Sequence, residues 1–456
     1  MHGALLAVLV VIGGASPAGP DPTGLVEQLG SPRFAQRESA EFALGRMGRL
    51  ALPALRGALD HKDPEVRTRS AAIVRRIEGG LLVEPTMLAL DFADFPLTDA
   101  LATLNRQSGL KLTMTPEVPT FWSSRRLSVR SDGPLPFWKA VDMLCEAGQL
   151  HYVFGGQNDF EHGDSTFALY DGFASSRGMF HDHGPFRVQL TSLHYQSEVH
   201  LSTEHPGLRK LGREETVQAV PSKTRNLSSK QFFLQMLVGA EPRLSLAPAG
   251  SVKVLEAIDD QGRSLLIPER AEILHRDSGY LGVNASPLVH SRVDLAYPDG
   301  PPSRLKKVRG MIPLVVSTRR PGPLEIPLTD ATNKSFAQNN VRIVVGEVRI
   351  GGADQASTIE LSIKACEDSS HRAEADDDEV AEIRSVASPQ QLEVLDAAGR
   401  MIPWFPSSSF FNGEEAKLTL TLLDRGVPTV PVSIRYHGVI RDQTEVPFEF
   451  RDLPMP

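Results

Sequence analysis

The chain has 456 residues, is 41% hydrophobic and 23% charged, and carries a formal net charge of −8. That length suits about three or four domains of ordinary size. A net acidic chain argues against a broad nucleic-acid-binding face, which needs clustered Lys and Arg. The 34 prolines and 6% aromatics suit many short connections between strands.

Residues 1–22 open with "ALLAVLVVIGGA", an apolar run too short to span a bilayer, followed by small residues around Ser16-Pro17-Ala18. This is the pattern of a cleaved export signal. A periplasmic or secreted protein is therefore expected, with no integral membrane segment in the mature chain and no lipid-anchor cysteine after the apolar run. Cys145 and Cys366 are too far apart in the chain to suggest a disulfide framework, and both are expected as buried thiols.

Residues 23–80 repeat themselves. "SPRFAQRESA" from Ser31 is echoed by "DPEVRTRSAA" from Asp63, with "LVEQLG" and "LRGALD" ahead of them. Ser31 and Asp63 stand as caps before Pro32 and Pro64, at the position where proline opens a helix. Apolar residues then recur at helical spacing. They are Phe34, Ala40, Ala43, Leu44 and Met47 in the first copy, and Val66, Ile73, Val74 and Ile77, with Ser70, in the second. Leu52, Leu55 and Leu59 make the stripe between. A helical pair this short must stack on a neighbour to bury its face. The unit resembles HEAT repeats, whose signature Asp-x-x-Val-Arg-x-x-Ala is answered by "DPEVRTRSA" with a shift of one at the small residue. The first copy departs from it, with Ala35 in place of the arginine. The resemblance implies a spacer or a protein-binding surface.

Residues 86–180 change period. Leu88, Leu90 and Phe92 alternate as a strand does. Leu97, Ala100, Leu101 and Leu104 then form a helical stripe closed by Gly109, and "LKLTM" is a new strand. The order returns in "RRLSVRS", "GPLPFWKAVDMLCEAG" and "LHYVF", so β-α-β occurs twice. These elements, with "DFPL" and "PFWKAVDMLCEAGQLHY", resemble the short N-terminal domain of secretins and TonB-dependent receptors. The resemblance implies a periplasmic protein-interaction module without catalytic residues. Phe137 and Trp138 are expected in its core. The loop "TPEVPTFWSSRR" carries Phe121, Trp122, Arg125 and Arg126. An aromatic pair beside guanidinium groups is a common hot-spot composition, so these four are the candidate partner-binding residues, with Trp122 expected to be exposed.

From residue 185 onward helical patterning stops. Strand-like runs bounded by Gly, Pro and Asp predict two β-sandwiches, at 185–330 and 338–456. Two echoes support a duplication: "VKVLEAIDDQGRSLLIP" from Val252 with "LEVLDAAGRMIPWFP" from Leu392, and "VRGMIPLVV" with "YHGVI" and "TEVPFEF". The expected fold is thus multidomain α+β: a HEAT-like helical repeat, a small βαβ-βαβ domain, then two β-sandwich domains.

Chemistry-bearing patterns are sparse. His181 and His183 in "HDHG", with His151 and His162 upstream, offer imidazoles two residues apart, but no third ligand follows at a matching spacing and the stretch is expected to be a Gly-rich loop. His200 to His205 misses zincin spacing by one residue. The acidic run 374–379 lacks the order of a calcium loop. No nucleophile elbow, phosphate loop or dinucleotide fingerprint occurs. The chain is similar to exported multidomain proteins of planctomycete-type bacteria. The expectation is a non-enzymatic cell-envelope protein that needs no cofactor and binds an envelope protein partner. The alternative is a metal-dependent hydrolase built on His181 and His183.

Overall fold

A computed structural model describes residues 21–116, 118–153, 166–172, 178–203, 224–267, 288–298, 304–338, 341–351, 356–365, 391–411, 415–423 and 430–455. It is a mixed α+β structure with several sheets, and its contacts divide the chain into one unit through Leu81 and another from Leu82. No described helix is long and apolar enough to cross a membrane. The expected signal segment lies outside the described residues.

The first unit holds α1 (Pro22–Gln28), α2 (Phe34–Met47), α3 (Leu52–Gly57) and the start of α4 (Pro64–Val83). Asp21 caps α1 by accepting from the Thr23 and Gly24 amides. Asp63 does the same for α4, taking the Glu65 amide at 2.9 Å. The first copy differs from expectation: Ser31 accepts from the Arg33 amide at 3.2 Å, and α2 starts only at Phe34, so Pro32 stands outside it. Ala40 and Leu44 of α2, Leu52 and Leu55 of α3, and Val66, Ile73, Val74 and Ile77 of α4 form one core. Phe34 is not in it. Its ring is 64% exposed at the first helical position, with the Arg37 guanidinium 5.6 Å from its centre.

The second unit begins with a small α+β module: β1 (Met87–Leu88), β2 (Asp91–Pro96), α5 (Leu97–Ser108), β3 (Lys111–Thr115), α6 (Pro119–Trp122), β4 (Arg126–Arg130), β5 (Leu135–Pro136), α7 (Phe137–Gly148), β6 (Leu150–His151) and β7 (Thr166–Asp171). β1 pairs β5, β2 pairs β4, and β7 lies between parallel β3 and antiparallel β6. The apolar stripes of α5 and α7 enter one core with Trp138, Trp122 and Leu169. Gly109 ends α5 in the left-handed conformation, φ +69°.

Two layered β-structures follow. In the first, β8 (Met179–His183), β9 (Phe186–Thr203), β10 (Thr224–Ala240) and β13 (Leu288–Leu295) form a sheet ordered β13-β10-β9-β8. The other sheet is built on β14 (Arg304–Arg319), flanked by β11 (Ser245–Pro248) and β12 (Lys253–Asp259) on one side and β24 (Val439–Pro454) on the other. Side chains of both sheets share one core. In the second, β15 (Leu324–Pro327), β19 (Leu392–Leu395), β20 (Met401–Ile402) and β23 (Ser433–Tyr436) make one sheet. β16 (Ser335–Gln338), β17 (Val341–Arg349), β18 (Thr358–Ala365), β21 (Trp404–Phe411) and β22 (Glu415–Leu422) make the other. They too share a core. Sequence order and spatial order part here: β24 returns to the first sandwich, and Ile326 of β15 belongs to the second core.

The turn echo is reproduced atom for atom. Asp259 Oδ1 accepts from the Gln261 and Arg263 amides, and its Oδ2 takes Arg263 Nε at 2.7 Å. Asp396 does the same with Ala398 and Arg400, with Nε at 2.8 Å. Gly262 and Gly399 both sit at positive φ, +79° and +73°.

Candidate functional site

Pro119 begins the four-residue helix α6, and that turn rotates Trp122 inward. Its ring is 2% exposed, and its N–H donates to the Pro116 carbonyl at 2.8 Å. The expectation of an exposed Trp122 is therefore corrected: the indole is a core anchor, because an aromatic with a satisfied N–H gains more from burial than a loop position costs it. Arg125 lies 5.2 Å over that indole and pairs with Asp171. Arg126 bonds the Asp94 carboxylate at 2.8 Å and its carbonyl. Both guanidiniums thus brace the module's own strands. Phe121 alone of the four presents apolar surface: it packs edge-on to Trp122 at 4.8 Å and stays 47% exposed, beside Val118 at 49%.

His181 and His183 do not lie in a loop. They occupy β8, opposite Val188 and Phe186 of β9, joined by a tight turn at Gly184 and Pro185. Pairing with β9 overrides the weak strand propensity of the His-Asp-His run. His181 is half-buried, and burial, with His183 beside it, lowers its pKa. His151 is 3.2 Å from the Gly172 carbonyl through Nδ1. Among the described residues no group of three His, Cys, Asp or Glu is placed to hold a metal ion. His162, His205, Cys366 and the acidic run 374–379 lie outside the described residues.

The densest chemistry lies at a residue that patterning passed over. Arg187 on β9 is 1% exposed. Asp142 of α7 takes its two Nη groups at 2.9 and 2.7 Å, and Asp182 of β8 takes Nε and Nη2, both at 2.6 Å. It also donates to the Tyr152 hydroxyl, which donates to Asp142 at 2.8 Å. The Trp138 and Phe180 rings lie 5.0 and 4.8 Å from the guanidinium, and the Trp138 N–H reaches the Pro185 carbonyl at 3.0 Å. Burial opposes the charge of Arg187, but Asp182 and Asp142 outweigh it and raise its pKa. Burial likewise raises the Tyr152 hydroxyl, and it pushes the Cys145 thiol up to about 12, with Asp142 adding to the shift. A thiol so placed is unreactive. The cluster is a fastening between α7 and the β8–β9 hairpin.

A second fastening lies nearby in sequence. Glu241, fully buried, accepts from the Thr86 amide at 2.8 Å, its hydroxyl at 2.5 Å, and Arg243 Nε at 3.0 Å. Arg243 also donates to the Glu84 carbonyl. Neither cluster leaves a local signal, since Asp142 and Arg187 are 45 residues apart and Thr86 and Glu241 155. The one hint was Trp138 beside a helical stripe, which marks a core face but not its partner.

No family model, no curated protein and no solved structure matches the chain.

Proposed function

We propose that the chain is a non-enzymatic scaffold of the bacterial cell envelope that binds a protein partner through its α+β module. The observation that carries this reading is Phe121, an exposed ring held on a rigid base. Its neighbour Trp122 is anchored by its N–H and by Arg125 across its face. Ordering such a ring on binding costs little entropy, which is what makes a fixed aromatic an efficient contact. The fastenings at Arg187 and Glu241 support the scaffold half of the reading, because buried charge at these joints holds the module to the sheet behind it. Export is inferred from the leading apolar run alone.

The test compares capture of envelope proteins by the wild type, Phe121→Ala and Trp122→Ala. Phe121→Ala is expected to stay within about 0.5 kcal/mol of wild-type stability and to lose the captured partner. Trp122→Ala is expected to cost about 3–5 kcal/mol as buried aromatics do. Capture that survives Phe121→Ala undiminished removes the binding reading.

A further inference from the structure

Helix α2 carries apolar residues on two sides. Its inner side, with Ala40 and Leu44, enters the core of the first unit. Its outer side carries Phe34 and Phe42, 64% and 67% exposed, and the turn that follows it, Gly48–Ala51, carries Leu50 at 77%. These are the three most exposed large apolar side chains among the described residues. The solvent side of a surface helix is ordinarily polar, and large apolar side chains gathered there mark a contact surface.

The spacing of this stretch shows what fits it. Phe34, Glu38, Phe42 and Arg46 follow one another at four-residue steps, which on a helix makes one ridge. Leu50 lies one step further, just past the helix end. The order is apolar, acidic, apolar, basic, apolar. Turned end for end about Phe42, the stretch meets its own complement: Phe34 falls opposite Leu50, Glu38 opposite Arg46, and Phe42 opposite itself. In the same register Glu41 falls opposite Ala43 and Arg49 opposite Ala35, so no like charges meet. Both members of the charged pair reach solvent. The Glu38 side chain is 48% exposed while bonded to Arg69 at 2.9 Å, and the exposed Arg46 holds its guanidinium 5.9 Å from the centre of the Phe42 ring.

We propose that α2 is a homodimer contact, in which two copies of the chain cross antiparallel at Phe42 and Glu38 of each pairs with Arg46 of the other. Packing of four-residue ridges from both helices is the commonest way that helices cross, and a patch complementary to itself under a two-fold closes as a pair. The charges select the occupant: a second copy presents a base and an acid at the spacing that the first copy answers. Three apolar side chains from each copy make a small interface, so the dimer is expected to form and dissociate with concentration. This surface is separate from Phe121.

Sedimentation velocity of the purified full chain over a range of concentrations tests the contact. The wild type is expected to pass from monomer to dimer as concentration rises. Phe42→Ala removes the central ring from both copies at once and is expected to weaken the dimer about a hundredfold. Glu38→Lys and Arg46→Glu each set two like-charge pairs across the two-fold and are each expected to weaken it at least about tenfold. An equimolar mixture of those two variants is expected to dimerise as the wild type does, because every contact in the mixed pair again joins opposite charges. Arg69 keeps its bonds to Glu41 and Glu65 in Glu38→Lys, and all three variants are expected to retain wild-type helical circular dichroism. A wild type that stays monomeric, a dimer that is unmoved by Arg46→Glu, or a mixture that fails to recover overturns the proposal.

Discussion

Glu241 shows how one buried carboxylate ties folding to pH. Burial raises its pKa, and the bonds from Thr86 and Arg243 offset this only in part. A carboxyl raised in the folded state binds a proton there more readily than in the unfolded chain. Its contribution to stability is therefore fully present below the ordinary glutamate value and is lost as pH rises through the raised one. Glu241→Gln cannot titrate, so the difference in unfolding free energy between variant and wild type is expected to move in the variant's favour as pH climbs from about 4 to 7. Denaturant melts at matched pH values measure that difference, and a constant difference refutes the assignment. Arg187 is the opposite case, a charge kept charged in the interior because two carboxylates meet it with good geometry.

The twin Asp-x-x-Gly-Arg turns show what a short motif does for a strand pair. The aspartate satisfies two amides of its own turn and fixes the arginine, while the glycine supplies the left-handed residue that reverses the chain. At Asp396 the Arg400 amide is the leading reason the carboxyl is held low. At Asp259 burial pushes the other way, and the Arg263 amide and guanidinium prevail. A Cβ added at Gly262 or Gly399 meets no atom within 4 Å, so Gly→Ala there tests backbone strain alone. Gly262→Ala and Gly399→Ala are each expected to cost about 1 kcal/mol, read as equal losses in chemical denaturation. Unequal losses would mean the turns differ in role despite their matching bonds. Alternation and the Gly–Arg echo made these turns legible in the sequence. The β8 hairpin was not legible, because a His-Asp-His strand takes its conformation from β9.

For the molecule as a whole, the decisive element is β24. It pairs with β14 from Arg304–Pro454 to Arg319–Val439 and sends Val446, Phe448, Phe450 and Leu453 into the core shared with β9 and β10. Phe448 faces Gly310 across the ladder, and a Cβ there would meet its ring at 2.8 Å. The first sandwich is thus incomplete until the strand following the second has returned. Phe448→Ala is expected to cost about 3–5 kcal/mol and to speed hydrogen exchange in β9 and β10, some two hundred residues earlier in the chain. Exchange changes confined to residues 439–454 would refute that coupling.

Local pattern was enough for the longer elements, though not for α6 or β8. Helical stripes marked α5 and α7, strand-like runs between Gly, Pro and Asp marked the longer strands from β9 to β23 but not the short β11 and β16, and the echo at Asp259 and Asp396 marked two equivalent turns. These features depend on which face of a single element is apolar, and a side-chain period records that directly. What covers each face was beyond such reading. Trp122 is buried because Pro116 and Arg125 close over it, Arg187 because Asp142 and Asp182 converge on it, and β24 belongs to the first sandwich because β14 offers a free edge. A period names a face without naming its neighbour, and the neighbour is set by contacts between residues far apart in the chain.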